Sequence, residues 1–551
     1  MSRKLISKCL PIAALWLALG VFSVQAAENR TWTGTTGNWS DAANWGGTEP
    51  IAGDWAKIAN GGTALITQEG EICSSIVLGE AQPGSVQMTG GSLKAIAEVI
   101  GNTADGYFSQ SAGVHFFLVG DLYTTSAMYL GLSSGVRGTY ELSGTGELNS
   151  VGEYIGYSGI GVFNHSAGKH VVEGGYYLWA DTIDPSGTLA LGFNSGSEGT
   201  YNLSGTGSLD AYAMTVGVSG KGTFNQSAGI ASIDQLILGL NSGSDGTFNL
   251  TGGRLSTNGI RRVAGNGIIN FGGGKIEPKD GDFGINVPMN LTGEFSDATI
   301  NINQYKCTID SVVSGQGGLV KKGTGILQLN AANTYTGTTT IEAGQVVLGT
   351  SAELASKVIY LKKPVSNSSP SLLLHSLAGL HVKFDQTLKG VGTISGNVTI
   401  EGLHDIGDPN GTQTVTGNYS MLGELKIDLK GVDAGAGYDQ LRLFRDVALS
   451  GSLLLDWTGM NGSTDASKLW ILNDYSTTGT LSGEFSNYAN GASLGLHDGR
   501  EWQIWYGADS ATGNLTGGND VLIAPVPEPA TIVLLALAAS GLFGWMRKRR
   551  A

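Results

Sequence analysis

The chain has 551 residues, a formal net charge of −14, and 87 glycines against only 12 prolines. Glycine this frequent without a Gly-X-Y period excludes collagen, and 41% hydrophobic residues exclude a disordered chain. With charged residues at 14% and Gly, Ser, Thr and Asn abundant, the composition fits many short strands joined by tight turns.

The first 26 residues read as a secretory leader. Arg3, Lys4 and Lys8 precede an apolar run over 10–22, and Val24-Gln25-Ala26 supplies the small residues that signal peptidase needs, with cleavage after Ala26. The run is short for a membrane span. Export through the general secretion machinery follows. Seven of the 32 basic residues and one of the 46 acidic ones lie in the leader and the tail from Pro527, so the body between them stands near −20. Such a body repels nucleic acid.

Residues 27–70 are rich in tryptophan. Trp32, Trp39 and Trp45 fall within TWTGTTGNWSDAANW. They predict a cap over the open end of a repeat array; the alternative is a set of rings that stack on sugars.

Residues 71–349 repeat. GTYELSGTGEL starts at Gly138, GVFNHSAGKHV at Gly161, GTYNLSGTGSL at Gly199, GTFNQSAGIAS at Gly222 and GTFNLTGGRLS at Gly246, with weaker copies at Gly84 and Gly106. A step of about 23 residues with strand-type alternation and glycine corners predicts an all-β fold, a right-handed parallel β-helix whose coils stack to bury faces that one coil cannot bury alone. Phe108, Tyr140, Phe163, Tyr201, Phe224 and Phe248 share one position and predict an aromatic ladder. Asn164, Asn202, Asn225 and Asn249 follow them on the opposite strand face, where stacked amides can bond from coil to coil. One place on, Gln110, Leu142, His165, Leu203, Gln226 and Leu250 alternate polar with apolar, so the unit is a pair of coils.

This pattern absorbs two apparent motifs. Gly131-Leu132-Ser133-Ser134-Gly135 has the form of a nucleophile elbow, yet the equivalent turns at Leu191 and Leu238 carry Asn in place of Ser133. His165 is equivalent to Gln226 and reads as a structural hydrogen bonder. Cys73 and Cys307 lie about ten coils apart, on the order of 50 Å at 4.8 Å per coil, which predicts two free buried thiols.

An enzyme of this architecture would need clustered cations or paired acids. Lys94, Arg137, Lys169, Lys221, Arg254, Arg261 and Arg262 do not cluster at one coil position, the Arg261-Arg262 pair apart. Asp181 and Asp184 are the best acid pair for a glycosidase, and a solvated turn accounts for them. No histidine spacing suits a metal. The expectation is a non-catalytic protein without cofactor or metal.

From Gly315 the chain reads GQGGLVKKGTGILQLNAANTYTGTTTIEAGQVVLG. Gly318 to Gly323, Asn333 to Gly337 and Gly344 resemble the autotransporter-associated β-strand repeat, a β-helix coil of secreted bacterial passengers. The resemblance implies more coils over 350–420. Residues 421–523 read as a mainly antiparallel β cap or sandwich.

The tail 524–551 holds Val526-Pro527-Glu528-Pro529, an uncharged stretch over 530–546, and Arg547, Lys548, Arg549 and Arg550. Seventeen helical residues reach about 25 Å, the low end for a transmembrane helix, and the basic cluster stays cytoplasmic. This pattern resembles the PEP-CTERM sorting signal of Gram-negative bacteria. The resemblance implies processing by an exosortase in the inner membrane and delivery to the cell surface or extracellular matrix, often alongside exopolysaccharide. The expected function is therefore a surface-sorted structural solenoid, an adhesin or biofilm matrix protein. A polysaccharide-binding or polysaccharide-degrading β-helix is the alternative.

Overall fold

The computed structural model describes residues 28–118, 126–174, 188–364, 370–374, 379–460, 468–475 and 479–526. The repeats do what their alternation requires. Each coil contributes three short strands, and each strand pairs in parallel with its equivalents one coil before and after. Glu198–Leu203, for example, pairs with Ile160–His165 on one side and Lys221–Gln226 on the other, Gly199 matching Gly161 and Gly222. The chain is a parallel β-solenoid, and among the described residues its one helix is a single 3₁₀ turn, Ala42–Trp45.

The six expected aromatics fall in register and are wholly buried. Their rings stack at 4.8, 5.0 and 4.7 Å from Phe108 to Tyr201, turn edge-on at 5.7 Å between Tyr201 and Phe224, and stack again at 4.9 Å to Phe248. The coil spacing sets these distances, and each ring replaces water with two aromatic neighbours. Beyond Phe248 the ladder continues with aliphatic Ile269 and Met289.

Glycine at the head of each repeat has a steric cause. A Cβ on Gly199 would clash with the Ile155 carbonyl oxygen of the preceding coil and with the Gly192 amide of its own coil. Any side chain there forces two coils apart.

The ends differ from expectation. Parallel pairing already begins inside 27–70, where Asn29–Thr31 pairs with Trp55–Ile58. It also runs past 421. Glu424–Asp428 pairs in parallel with Ser452–Asp456, Gln440–Leu443 with Leu469–Asp474, and Val447–Leu449 with Leu481–Gly483. Among the described residues, antiparallel pairing between strands is confined to Leu469–Asp474, Ser493–His497, Arg500–Ala508 and Asp520–Pro525, with isolated antiparallel bridges at Gly390–Gly407, Leu429–Tyr438 and Asp509–Asn514. The expectation of a mainly antiparallel region from 421 fails because a solenoid strand buries one face only. Its two-residue alternation is then the same as that of an antiparallel strand.

Cys73 and Cys307 are free and buried, as their coil separation requires. No helix among the described residues is long and apolar enough to cross a membrane. The leader 1–26, the pair Asp181 and Asp184, and the expected span over 530–546 lie outside the described residues.

Candidate functional site

Trp32, Trp39 and Trp45 are 1%, 0% and 4% exposed. Asp41 caps the 3₁₀ turn through the Ala43 amide, which swings Trp45 inward. Its ring meets Trp32 and Trp39 edge-on at 5.0 and 4.8 Å, and its indole N–H donates to the Trp39 carbonyl. Rings packed against one another present no face to a sugar, which overturns the stacking alternative for these three.

Ser133 sits in a surface turn closed by the Val136 amide on its carbonyl. The Asn residues at the equivalent place tie coils together, Asn194 to Ser158 and Asn241 to Ser219, each at 2.9 Å. The elbow motif is a corner.

The solenoid's polar chemistry lies along its ladders. On the outer face, Asn164, Asn202, Asn225 and Asn249 form the expected chain at 2.7–2.8 Å, and Asn270 and Asn290 extend it at 2.8 and 3.2 Å. Those last two escaped the repeat pattern because Ile269 and Met289 replace the aromatic before them.

Inside, two matching hydrogen-bonded arrays interrupt the apolar core. In one, His165 Nε2 donates to the Gly168 carbonyl at 3.1 Å, leaving Nδ1 to accept from Tyr201 OH at 2.9 Å. Tyr201 in turn accepts from His170 Nδ1 at 2.8 Å, and His170 Nε2 meets Glu153 at 2.8 Å. In the other, Gln110 gives both of its donor hydrogens to carbonyls, Tyr140 OH donates to its Oε1 at 2.7 Å, and His115 Nδ1 donates to Tyr140 at 3.1 Å. His115 Nε2 then faces Glu98 at 3.7 Å. Burial lowers His115 to about 3 and His165 to about 4. Burial, and then the charge of Glu153, raises the Glu98 carboxyl well above its usual range. Sequence reasoning found His165 and the two tyrosines but missed both glutamates, whose partners come from different strands of the coil. All these groups are sealed from solvent, so they hold coils together and reach no substrate.

The stretch from Gly315 shows the same economy. Lys321 is wholly buried, and its ammonium donates to the carbonyls of Lys322, Gly323 and Ala343 at 3.1, 2.7 and 2.9 Å. Asn333 accepts the Val313 amide at 3.0 Å, and Tyr335 bonds Thr339 at 2.6 Å. These residues stitch one turn to the next. Residues 319–348 match the passenger-associated-transport-repeat.

At the other end, the Val526 amide donates to the Glu501 carbonyl at 2.7 Å, just past the last strand. Pro527, Glu528 and Pro529 follow, then the apolar stretch and Arg547, Lys548, Arg549 and Arg550, all outside the described residues. Residues 525–550 match a single family model. This segment is a PEP-CTERM protein-sorting motif. The motif implies recognition by an exosortase-type sorting enzyme and marks an exported, surface-sorted protein. No curated protein matches the chain.

Proposed function

We propose that the protein is a non-catalytic structural rod at the cell surface, an adhesin or a component of the extracellular matrix. The coil is taken as right-handed, the sense nearly all parallel crossovers follow, and the antiparallel strands near residue 500 as the cap that ends it. The leader directs export. The stretch over 530–546 holds the chain briefly in the inner membrane, stopped by Arg547 to Arg550, until an exosortase reads Pro527, Glu528 and Pro529.

One observation supports this reading above others. Apolar side chains fill the interior along the described length, and parallel strand pairing bonds each coil to the next, which suits a part whose task is to be long and rigid. Deleting 527–551 and fractionating cells tests the sorting. The truncated protein should be released or retained inside, and an unchanged surface location overturns the proposal. Incubating the purified protein with polysaccharides and assaying new reducing or unsaturated ends tests the absence of catalysis. Product lost on Asp181→Ala would establish an enzyme instead.

A further inference from the structure

The coil register brings together basic residues that are scattered in the sequence. Ile230, Arg254, Lys275 and Thr299 stand at one position on successive coils, and Lys322 follows Asn301 on the next. Together they line one wall of an open groove of about 570 Å³. Gly229, Gly253 and Gly274 line the same groove and leave its backbone uncovered by side chains. Five coils at about 4.8 Å give the groove a length of about 19 Å.

The cations outnumber their counter-ions. Glu277 alone holds Arg254 at 2.6 Å and Lys275 at 3.1 Å. Glu342 alone holds Lys322 at 3.4 Å and Lys362 at 3.0 Å. Each carboxylate therefore leaves one positive charge unneutralised. The four cationic side chains are 39–47% exposed, while Glu277 is 9% exposed, so the cations face outward and the acid lies beneath. Against a chain of net −14, this strip has the opposite sign.

We propose that the groove binds a linear acidic polysaccharide, a polyuronate, lying along the rod. This rests on the surface-rod reading and supplies its ligand class. The Arg254 fork and the ammonium of Lys275 suit carboxylates. Thr299 and Asn301 offer hydrogen bonds to hydroxyls, and Ile230, 40% exposed, offers an apolar surface to the C–H face of a sugar ring. A polyuronate carries one charge per sugar. Duplex nucleic acid carries one per roughly 1.7 Å, and the acidic body would repel it more strongly.

The test is retention of the purified full-length protein on immobilised polygalacturonate, with dextran and a DNA duplex as comparison matrices. Retention on polygalacturonate that falls with rising NaCl is expected, with none on dextran. Arg254→Gln, Lys275→Gln and Lys322→Gln together should weaken it by about tenfold. Glu277→Gln, which frees two cations, should strengthen it. The opposite signs separate a binding effect from a folding defect, which would weaken both. Equal retention of the triple variant, or equal retention on DNA, overturns the proposal. So does a triple variant with altered sedimentation and unchanged retention, which would make the strip a contact between copies. Normal surface sorting without retention would remove this inference and leave the sorting reading intact.

Discussion

Tyr201 has one proton to give and two histidines beside it. Because His165 Nε2 is committed to the Gly168 carbonyl, that proton goes to His165 Nδ1, and the phenolic oxygen must accept from His170. Tyr201→Phe keeps the ring in its stack but strands two buried nitrogens. It should cost about 1–3 kcal/mol, read from denaturant midpoints, whereas Phe224→Tyr adds a hydroxyl with no such partners and should not recover it. Glu98 predicts a pH effect of definite sign. Its folded pKa is raised, so the stability from keeping it neutral is fully present below its ordinary value of 4.5 and is lost as pH rises through the folded value. For His115 the folded pKa is lowered to about 3, so its contribution is present above 6.5 and lost as pH falls toward 3. Denaturant midpoints measured across pH should therefore fall on both sides. Glu98→Gln should flatten the alkaline side alone, and an unaltered alkaline slope in that variant would contradict the assignment.

Between coils, the unit of stability is the ladder. Asn225 gives one amide hydrogen bond to Asn202 and takes one from Asn249. Asn290, at the end of the run, only donates, to Asn270. Asn225→Ala should destabilise by about twice as much as Asn290→Ala, on the order of 1–2 kcal/mol against 0.5–1. Equal losses in thermal or denaturant melts would mean that the amides bond to water as well as to one another. The ladders were legible in the sequence wherever one strand repeats itself. Tyr140, Phe163, Tyr201 and the four asparagines sit at fixed offsets from Gly138, Gly161, Gly199, Gly222 and Gly246. What escaped came from different strands of one coil. Glu153 and His170 are 17 residues apart and meet at 2.8 Å. An offset within a repeat carries no trace of such pairings. The Trp cluster illustrates another gap, since three indoles that could stack on sugar and three that plug an end look the same until burial is seen.

Across the whole molecule, the architecture is nearly one-dimensional, because each coil touches mainly the coils before and after it. Stability in such a stack is a sum of coil and interface terms, so damage is local to the extent that distant coils can stand without their neighbours. Phe163 lies midway in the aromatic ladder, stacked on Tyr140, Tyr201 and His170 at 5.0, 4.7 and 4.7 Å. Phe163→Ala opens a cavity there at a cost of about 3–5 kcal/mol. A compact globule would spread that loss over every element. A rod should confine it. Native-state hydrogen exchange should show faster exchange in Arg137–Leu142, Ile160–His165 and Glu198–Leu203, while Glu424–Asp428 and Ser452–Asp456, many coils away, keep wild-type protection. Uniform acceleration over the chain would show that the coils fold as one unit, and the mechanical argument for a rod assembled from nearest neighbours would fail with it.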